Sequence, residues 1–465
     1  MRLPMSILSR RSFLAASAAV AAAPAVGTAA GLSDVDIAVV GAGAAGIAAA
    51  RRITAATRRR CVLLEAAGRI GGRCVTDTQP FGLAWDRGAH WLHTPDINPL
   101  VRIAGQTGLD IYPAPPGQKI RIGRRYAREG EMEDFLAALV RTNRAIGEAA
   151  RKNDMSCVQA LPKDLFDWRQ TIEFVLGPFG CSKDLGEVSA QDFARSVERD
   201  ADAFCRQGLG ALIAKLADGL PVQLGAAVKQ IDLTSRGIAE IETTRGRLVA
   251  RGVIVTVSTA VLAAGKIKFA PEPKRQLDAA NSLRLGSYDR IVLELPNNPL
   301  GLDRDDLVFE KTQGTRTAAV LGNVAGSPLV TVDVGGKFGR DLASKGEAAM
   351  TAFALEWLGD LFGADLRKAV KRTAATQWNN EPWVLGASSA AAPGGQAARR
   401  TLIDTLSEPV RGRLWFAGEA VHDTLWGTVG GAWESGERAA DAALRRFGYV
   451  AEPREPARAP QRRQR

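Results

Sequence analysis

Short apolar runs and helical spacings alternate at the start of the chain. Residues 34–40 and 61–64 are apolar runs of strand length, and each predicts a buried strand. A glycine-rich turn and an alanine-rich helical stretch, which ends near Ala56, separate the two runs. Strand, glycine turn, helix and strand in this order are typical of a βαβ unit, so the pattern predicts a doubly wound α/β sheet.

Further along, the spacing of the apolar positions predicts both strands and helices. Alternating apolar and polar residues predict strands over 228–241 and 247–257. Apolar residues at helical spacing predict helices over 131–152, 209–219, 343–361 and 431–447. The body of the chain shows no internal repeat and no long low-complexity linker, which argues against a repeat protein.

Composition and charge are those of a soluble, mildly basic protein. The chain has 465 residues, 46% hydrophobic and 24% charged, which is enough for two or three domain-sized cores. Its 61 Lys and Arg residues against 50 Asp and Glu residues give a net charge of +11. The densest basic run lies in a proline-rich tail, 448–465, which we expect to be disordered. No basic motif with interleaved aromatic residues accompanies it, so we expect no nucleic-acid partner.

The first 30 residues differ from the rest of the chain. Arg10 and Arg11 precede Ser-Phe-Leu, and an alanine-rich stretch follows as far as Ala30. This segment resembles a bacterial twin-arginine signal peptide. Its apolar part is shorter than the roughly 20 residues that span a bilayer, so we expect cleavage near residue 25 or 30 and no stable membrane span. The twin-arginine translocase would then export the folded protein to the periplasm or beyond.

Cysteine and histidine positions do not predict a metal site. Neither a CxxC pair nor a metal-ligand spacing occurs among Cys61, Cys74, Cys157, Cys181, Cys205, His90, His93 and His422. In an oxidising compartment two of the last three cysteines could pair, although buried free thiols are the simpler expectation.

A GxGxxG motif follows the first predicted strand. Gly41 allows the tight turn, Gly43 lets the backbone approach a pyrophosphate, and Gly46 lets helix and strand pack closely. Ala44 and Ala45 open the helix whose N-terminus would hold the phosphates. Glu65 ends the second strand, where an acidic side chain can accept hydrogen bonds from a ribose. The context predicts an adenine dinucleotide site.

A second glycine-rich loop follows Glu65 directly. It can bring backbone N–H groups and guanidinium charge to the same pyrophosphate through Ala66, Arg69, Gly71, Gly72 and Arg73. With this loop the chain resembles the flavin amine oxidase family, which includes monoamine, polyamine and L-amino acid oxidases and the histone lysine demethylase oxidase domain. In that family a GxGxxG motif, an acidic ribose ligand and a GGR loop occur in this order.

The resemblance extends from residue 34 to about 447 and is weak over 111–205. It implies FAD contacts at Gly88, Ala89, His90, Trp91, Val228, Trp383, Gly418, Glu419, Thr428 and Val429. The helix N-terminus near Thr428 would point at the flavin edge where charge collects on reduction. Ala387 stands where some members attach FAD through cysteine, so the resemblance implies non-covalent FAD.

The implied fold is a two-lobed α/β protein. Segments 34–115, 205–270 and 400–447 would form a Rossmann-like FAD-binding domain. Segments 116–204 and 271–399 would form a substrate domain of the α+β type with a mixed sheet. The implied reaction is hydride transfer from the α-carbon of an amine to flavin N5, followed by hydrolysis of the imine to an aldehyde. Electrons would pass to O2, giving H2O2, or to another acceptor such as a quinone or a redox protein.

Several implied site residues depart from the best-known members. Arg290 stands where the family usually has a lysine near flavin N5, and it keeps the charge but not the ammonium geometry. Oxidase and dehydrogenase activity therefore both stay open, as does a purely salt-bridged role for Arg290. Ser388 and Thr428 occupy the positions of the two cage tyrosines, so Trp378, Trp383 or Trp426 would have to supply aromatic walls.

The remaining implied features concern the substrate. His93 and Thr428 resemble polyamine oxidases, in which the histidine lies near the reacting nitrogen, although His90 or His93 could instead pack against the flavin edge. Carboxylates for a cationic polyamine could come from 187–202 or Glu381. The expected substrate is a polyamine-like or aromatic alkylamine. L-Amino acid oxidation is an alternative that needs an arginine clamp, with Arg102, Arg169 and Arg195 as candidates, and a flavin-binding protein without turnover is another.

Overall fold

A computed structural model describes residues 34–57, 59–196, 201–363 and 366–450. The export signal predicted at 1–30 and residues 451–465 of the tail predicted at 448–465 lie outside the described residues. Both therefore stay predictions. The first three residues of that tail are described, and Tyr449 packs beside Phe447 and donates its hydroxyl to Asp36 Oδ1 at 2.9 Å. Within the described residues, no helix is both long enough and apolar enough to cross a membrane.

The predicted βαβ unit lies in the larger of two main sheets, which we call the first sheet. Val35–Val40 pairs in parallel with Cys61–Leu64 on one side and with Gly246–Val255 on the other. Helix Ala44–Ala56 connects the first two of these strands. The other strands of this eight-stranded sheet are Val222–Gln223, Val228–Asp232, Ala239–Thr243, Lys268–Ala270 and Leu414–Phe416. The α/β fold class predicted from the sequence is confirmed.

One predicted strand of the first sheet is wrong in its extent. The alternating stretch 228–241 is not one strand but an antiparallel hairpin of Val228–Asp232 and Ala239–Thr243. Gly237, with φ of +83°, lies in the turn between them. Paired residues of an antiparallel hairpin lie on the same face of the sheet. The alternation of apolar and polar residues therefore continues from one strand to the next, and the sequence pattern does not reveal the turn.

The first and last long helices pack against each other beside this sheet. Val429–Arg446 begins two residues before the predicted start, because Thr428 caps its N-terminus by accepting a hydrogen bond from Gly431 N. A Cβ at Gly436 would lie 2.0 Å from the carbonyl oxygen of Ala45. The close approach of the two helices therefore requires glycine at this position.

The second sheet has seven strands. They are Lys119–Ile122, Arg125–Tyr126, Tyr288–Glu294, Asp306–Glu310, Ala319–Gly322, Leu329–Gly335 and Thr373–Ala375. Tyr288–Glu294 and Leu329–Gly335 pair antiparallel, which puts Arg290 opposite Asp333. The helix predicted over 343–361 is Glu347–Phe362, which begins later than predicted because Gly346, with φ of +91°, precedes it. A separate helix, Gly336–Ala343, ends where the predicted one was to begin.

Shorter elements connect the two sheets. Two small sheets consist of Thr76–Asp77 with Trp85–Asp86, and of Leu92–His93, Asp202–Cys205 and Ile111–Pro113. The remaining helices are Pro99–Ala104, Glu129–Ala150, Cys157–Ala160, Arg169–Phe174, Ala190–Ala194, Leu209–Leu216, Thr259–Ala263, Lys274–Ser282, Leu366–Ala369 and Ala398–Ile403. A π-helical turn, Val175–Phe179, continues Arg169–Phe174. Single 3₁₀ turns occur at Phe166–Trp168, Leu185–Glu187, Val324–Gly326, Trp378–Asn380, Asp404–Leu406 and Glu419–Val421.

The two main sheets follow the predicted division of the chain. Strands of the first sheet come from 34–115, 205–270 and 400–447, and strands of the second sheet come from 116–204 and 271–399. The boundary predicted between 204 and 205 falls inside the strand Asp202–Cys205. The domain boundaries themselves stay a prediction.

Candidate active site

A cavity of about 520 Å³ is lined by residues from both main sheets. Nearly all residues predicted to bind the cofactor or the substrate line it, although they come from distant parts of the chain. They are Gly41, Gly43, Ala44, Ala45, Glu65, Ala66, Arg69, Gly71, Gly72, Arg73, Gly88, Ala89, His90, Trp91, His93, Val228, Arg290, Trp378, Trp383, Ser388, Gly418, Glu419, Thr428 and Val429.

Gly46 was predicted to belong to the cofactor site but is not among the described residues that line the cavity. A Cβ at this position would lie 1.8 Å from the carbonyl oxygen of Gly41 and 3.0 Å from Thr256 Oγ1. Gly46 therefore packs the helix against the turn, which is the part assigned to the third glycine of the motif.

One end of the cavity is built around the N-terminus of helix Ala44–Ala56. Gly43 caps this helix without a side-chain hydrogen bond, so the positive end of the helix is available to an anion. Glu65 is buried beside it, and its two carboxylate oxygens accept hydrogen bonds from Ala42 N at 2.7 Å and Ala67 N at 2.8 Å. Each oxygen keeps a second lone pair, which suits a ribose hydroxyl.

The glycine-arginine loop lies against this turn. A Cβ at Gly72 would lie 3.3 Å from the Cα of Gly43, so the two loops approach through their glycines. Arg73 Nη1 donates to Glu419 Oε1 at 2.9 Å and also to the carbonyl oxygen of Ala387. Burial acts to raise the pKa of Glu419, but the Arg73 charge and other contacts hold it below its usual value. These donors and the glycine cradle fit a dinucleotide such as FAD.

His90 brings a buried polar atom to the cavity wall. Its Nδ1 lies 2.8 Å from Asp86 Oδ2, whereas its Nε2 has no hydrogen-bond partner among the described residues. Asp86 also accepts hydrogen bonds from Leu209 N and Gly210 N at the start of helix Leu209–Leu216. His90 is thus held by the protein on one side, as expected of a side chain that packs against a cofactor edge.

Arg290 lines the cavity and is also fully engaged in a buried ion pair. Its Nε and Nη2 lie 2.8 Å and 3.1 Å from the carboxylate oxygens of Asp333, and its Nη1 donates to the carbonyl oxygen of Asp86 at 2.8 Å. Burial acts to lower the pKa of Arg290, but pairing with Asp333 raises it above its usual value. The guanidinium is therefore a fixed positive charge that does not release a proton. The salt-bridged role considered for Arg290 is therefore found, and its role near flavin N5 stays a prediction.

Tyr288 lines the cavity next to Arg290 and was missed from the sequence. Its hydroxyl donates to Asp333 Oδ2 at 2.8 Å. The available signal was the two-residue period of a strand, which puts 288 and 290 on the same face. Tyr288 thus adds an aromatic side chain to the lining of the cavity.

His93 and Asp202 form a second polar pair in the cavity. His93 Nδ1 lies 2.6 Å from Asp202 Oδ1, and the Trp91 ring is parallel to the imidazole with centroids 6.4 Å apart. Of the candidate carboxylates, Asp202 and Glu381 line the cavity. Glu198 and Asp200 lie outside the described residues.

The hydroxyls of Ser388 and Thr428 are both engaged in local hydrogen bonds. Ser388 Oγ lies 2.8 Å from Ser182 Oγ. Thr428 Oγ1 accepts from Gly431 N at 2.9 Å and donates to the carbonyl oxygen of Leu425 at 2.7 Å. Thr428 is thus a helix cap as well as a wall of the cavity.

The three candidate tryptophans take different positions. Trp378 is buried and donates its Nε1 to the carbonyl oxygen of Arg87 at 2.9 Å. Trp383 is 40% exposed, and Lys266 Nζ lies 5.2 Å from its ring centroid. Trp426 packs in the core and is not among the described residues that line the cavity. Its interpretation as an aromatic wall is wrong.

An apolar wall of the cavity was also missed. It consists of Val175, Leu176 and Phe179 from the π-helical turn, together with Leu307 of the second sheet. A π-helical turn often occurs at functional sites. It falls within 111–205, where the resemblance to known proteins is weak, and the sequence of the turn carries no signal of its own.

The burial expected of the cysteines is found for four of the five. Cys74, Cys157, Cys181 and Cys205 are buried, whereas Cys61 is partly buried. Burial raises the pKa of Cys74 to about 12, so its thiol is unreactive at neutral pH. No group of three or more His, Cys, Asp or Glu side chains in the described part of the chain is arranged to hold a metal ion.

Comparison with known proteins agrees with this geometry. A family model described as flavin containing amine oxidoreductase matches residues 44–444. Polyamine oxidase 3 of Oryza sativa subsp. japonica is 27% identical over 447 residues, covering 87% of this chain and 88% of its own length. Human lysine-specific histone demethylase 2 is 26% identical over 454 residues, covering 86% of this chain and 52% of the demethylase.

Solved structures share the fold. Cyclohexylamine oxidase from Brevibacterium oxydans IH-35A superimposes with a TM-score of 0.75 at 19% identity, covering 89% of this chain and 100% of that one. Putrescine oxidase bound to putrescine gives a TM-score of 0.73 at 19% identity, covering 89% of this chain and 99% of that one.

Proposed function

This chain belongs to the flavin-containing amine oxidoreductase family, and from that premise we propose that it oxidises a polyamine-like or aromatic alkylamine. FAD-dependent oxidation of an amine is the activity of the family as a whole. The flavin-binding protein without turnover is therefore not retained.

One observation carries the proposal. The dinucleotide turn at Gly41–Ala45 and the polar pair of His93 and Asp202 line the same cavity. FAD, when bound, supplies the acceptor for a hydride from the α-carbon of the amine. The protein holds the amine nitrogen near His93, shields it from water, and keeps a fixed positive charge at Arg290. The amine reacts in its uncharged form, so activity should rise with pH.

The cavity walls support the substrate class. The apolar wall of Val175, Leu176 and Phe179 suits a methylene chain or an aromatic ring. Asp202 and Glu381 offer carboxylates for a cationic nitrogen. Arg102, Arg169 and Arg195, the candidates for an amino acid carboxylate clamp, do not occur among the described residues that line the cavity. The three candidates therefore give the amino acid alternative no support, although Arg87 does line the cavity.

The later steps of the proposed reaction follow from the chemistry of an imine. Water hydrolyses the imine to an aldehyde and releases ammonia or a shorter amine. The electrons pass to O2, giving H2O2, or to a quinone or redox protein.

An anaerobic substrate panel tests the proposal. Purified protein loaded with FAD is mixed with putrescine, spermidine, tyramine or leucine, and absorbance at about 450 nm is followed. We expect bleaching by at least one of the three amines and slow or no bleaching by leucine. A protein that binds no FAD, or one that only leucine reduces, would contradict the proposal. Readmission of O2 or of an artificial acceptor then shows which one reoxidises the flavin.

The same proposal includes export in the folded state to the periplasm or beyond. Its support is the resemblance of residues 1–30 to a twin-arginine signal. Replacing Arg10 and Arg11 together by lysine should leave the flavoprotein in the cytoplasm of a bacterial host. Unchanged fractionation of the variant would argue against this route.

A further inference from the structure

A buried ion pair, Asp192 with Arg399, lies behind the wall of the cavity. Arg399 Nε and Nη2 lie 2.9 Å and 2.6 Å from the two carboxylate oxygens of Asp192. Arg399 is 1% exposed, Asp192 is 0% exposed, and neither is among the described residues that line the cavity. Burial acts to raise the pKa of Asp192, but hydrogen bonding to Arg399 holds it below its usual value. The two parallel contacts fix the pair in a planar, bidentate geometry.

The pair is tied directly to the segment that carries Ser388. Asp192 Oδ2 accepts a hydrogen bond from Ala391 N at 2.8 Å, and Arg399 Nη1 lies 3.4 Å from Ser389 Oγ. These contacts fix the backbone immediately after Ser388. Any movement of the pair therefore moves this wall of the cavity.

The pair also reaches the segment that carries Thr428. Ser389 Oγ donates to Glu419 Oε2 at 2.6 Å, and the same oxygen accepts a hydrogen bond from Gly427 N at 3.1 Å. Glu419, Gly427 and Thr428 all line the cavity. A continuous set of hydrogen bonds thus links the ion pair to the residue before Thr428.

Trp426 strengthens this second link. Arg399 Cζ lies 4.8 Å from its ring centroid, and the indole Nε1 donates to the carbonyl oxygen of Asp192 at 3.3 Å. Arg399 Nη1 also donates to the carbonyl oxygen of Ala420 at 3.0 Å. The turn before Thr428 is thus held against the pair by both packing and hydrogen bonds.

We propose that Asp192 and Arg399 are positioning residues for amine oxidation, which set the placement of Ser388, Thr428 and Glu419 from behind the cavity wall. This inference rests on the proposed function, because Ser388 and Thr428 are the residues expected to flank the substrate nitrogen. A buried ion pair gives little net stability compared with an apolar pair of the same volume. A bidentate guanidinium, however, fixes both distance and angle. The main effect of the Asp192–Arg399 pair is therefore to fix the geometry of the segments that carry Ser388 and Thr428.

Two variants of the pair test the inference. Arg399→Lys keeps the charge but loses the bidentate contact, and Asp192→Asn keeps the shape but loses the charge. We expect each to lower the rate of flavin reduction by saturating amine, per bound FAD, by about tenfold or more, because the reacting atoms are misplaced. The Kd for FAD should also rise about tenfold, because Glu419 loses its support. Anaerobic stopped-flow absorbance and fluorescence titration of the apoprotein measure the two quantities.

Arg372→Lys is the matched control. Arg372 makes an equally bidentate pair with Glu294 at 2.5 Å and 3.1 Å, and neither residue is among those described as lining the cavity. We expect the Arg372→Lys variant to keep the wild-type rate of flavin reduction and the wild-type Kd for FAD, even if its Tm is lower. Values within about twofold of wild type for both Arg399→Lys and Asp192→Asn, or equal losses in Arg372→Lys, would overturn the inference.

Failure of the proposed function would be visible separately. Wild-type protein that no amine reduces would disprove amine oxidation, whereas the FAD titrations of the variants still test the positioning role. If neither pair variant folds, Ser389→Ala decides, because it keeps the ion pair and removes the hydroxyl link to Glu419, while the contact from Ser389 N to Glu419 stays. The same rise in the Kd for FAD is expected, and an unchanged Kd would overturn the inference.

Discussion

His93 Nδ1 lies 2.6 Å from Asp202 Oδ1, across adjacent strands of a small sheet, and both side chains line the cavity. The carboxylate fixes which edge of the imidazole faces it, as carboxylates that orient a histidine do in other sites. Since the proposed function places the amine nitrogen near His93, the orientation of the ring bears directly on turnover.

We therefore expect Asp202→Asn to lower kcat/KM for the amine about tenfold, because a neutral amide replaces the charged acceptor and a hydrogen bond to a charged group is worth more than a neutral one. Steady-state kinetics at fixed pH measure the change. Asp110→Asn is the control, because Asp110 pairs with Arg206 at 2.6 Å next to the same small sheet but half exposed. Its kcat/KM should not change. Equal losses in both variants would mean that Asp202 only supports the sheet.

The pair of Arg290 and Asp333 should respond to single and double substitution differently. Arg290→Met leaves the Asp333 carboxylate buried without its cation, which typically costs about 3–5 kcal/mol of stability. Adding Asp333→Asn removes the stranded charge, so we expect the double variant to be more stable than Arg290→Met alone. Urea unfolding of the three variants checks this order. A double variant that is less stable than Arg290→Met would contradict the prediction.

Two glycines near the dinucleotide turn should tolerate alanine very differently. A Cβ at Gly46 would lie 1.8 Å from the carbonyl oxygen of Gly41, whereas a Cβ at Gly68 meets nothing within 4 Å. We expect Gly46→Ala to yield protein without bound FAD and Gly68→Ala to bind FAD normally. The ratio of flavin to protein absorbance after purification distinguishes them. Full FAD content in Gly46→Ala would show that the turn can relax.

Asp289 should make stability depend on pH. It is 0% exposed, its Oδ1 accepts from Trp378 N and Thr376 Oγ1, and its Oδ2 has no partner among the described residues. Burial raises its pKa to about 6, compared with about 3.9 in an unfolded chain. Between these values the folded protein holds a proton that the unfolded chain has lost. The contribution of Asp289 to stability is therefore greatest below about pH 4 and is lost as the pH rises to about 6.

Asp289→Asn removes this dependence while keeping the Oδ1 acceptor. We expect the free energy of unfolding of the variant to exceed that of wild type by more at pH 8 than at pH 4.5, the difference being on the order of 2 kcal/mol. Urea unfolding at the two pH values measures the difference. If the stability difference between variant and wild type is the same at both pH values, the pKa of Asp289 is not raised in the folded protein.

Much of the dinucleotide end of the cavity could be predicted from the sequence, because local backbone rules govern it. A strand, a GxGxxG turn and an acidic residue lie close together along the chain, and glycines at 41 and 43 serve one turn. The ion pairs of the substrate end could not be predicted this way. Arg290 with Asp333, and Asp192 with Arg399, join residues that are far apart in sequence, so only the tertiary fold brings them together. Phe179 was missed because its π-helical turn has no sequence signature.

Gly436 brings the last long helix within contact of Ala45 in the first one, and each helix contributes its N-terminus to the cavity. The cofactor site is thus assembled from the two ends of the described chain and has no complete precursor in any shorter N-terminal fragment. Cofactor uptake should consequently be a late event, after synthesis of the polypeptide is nearly finished. A chain that stops before Val429 would lack the second of these two helices. We expect such a chain not to retain the dinucleotide, even with its GxGxxG turn intact.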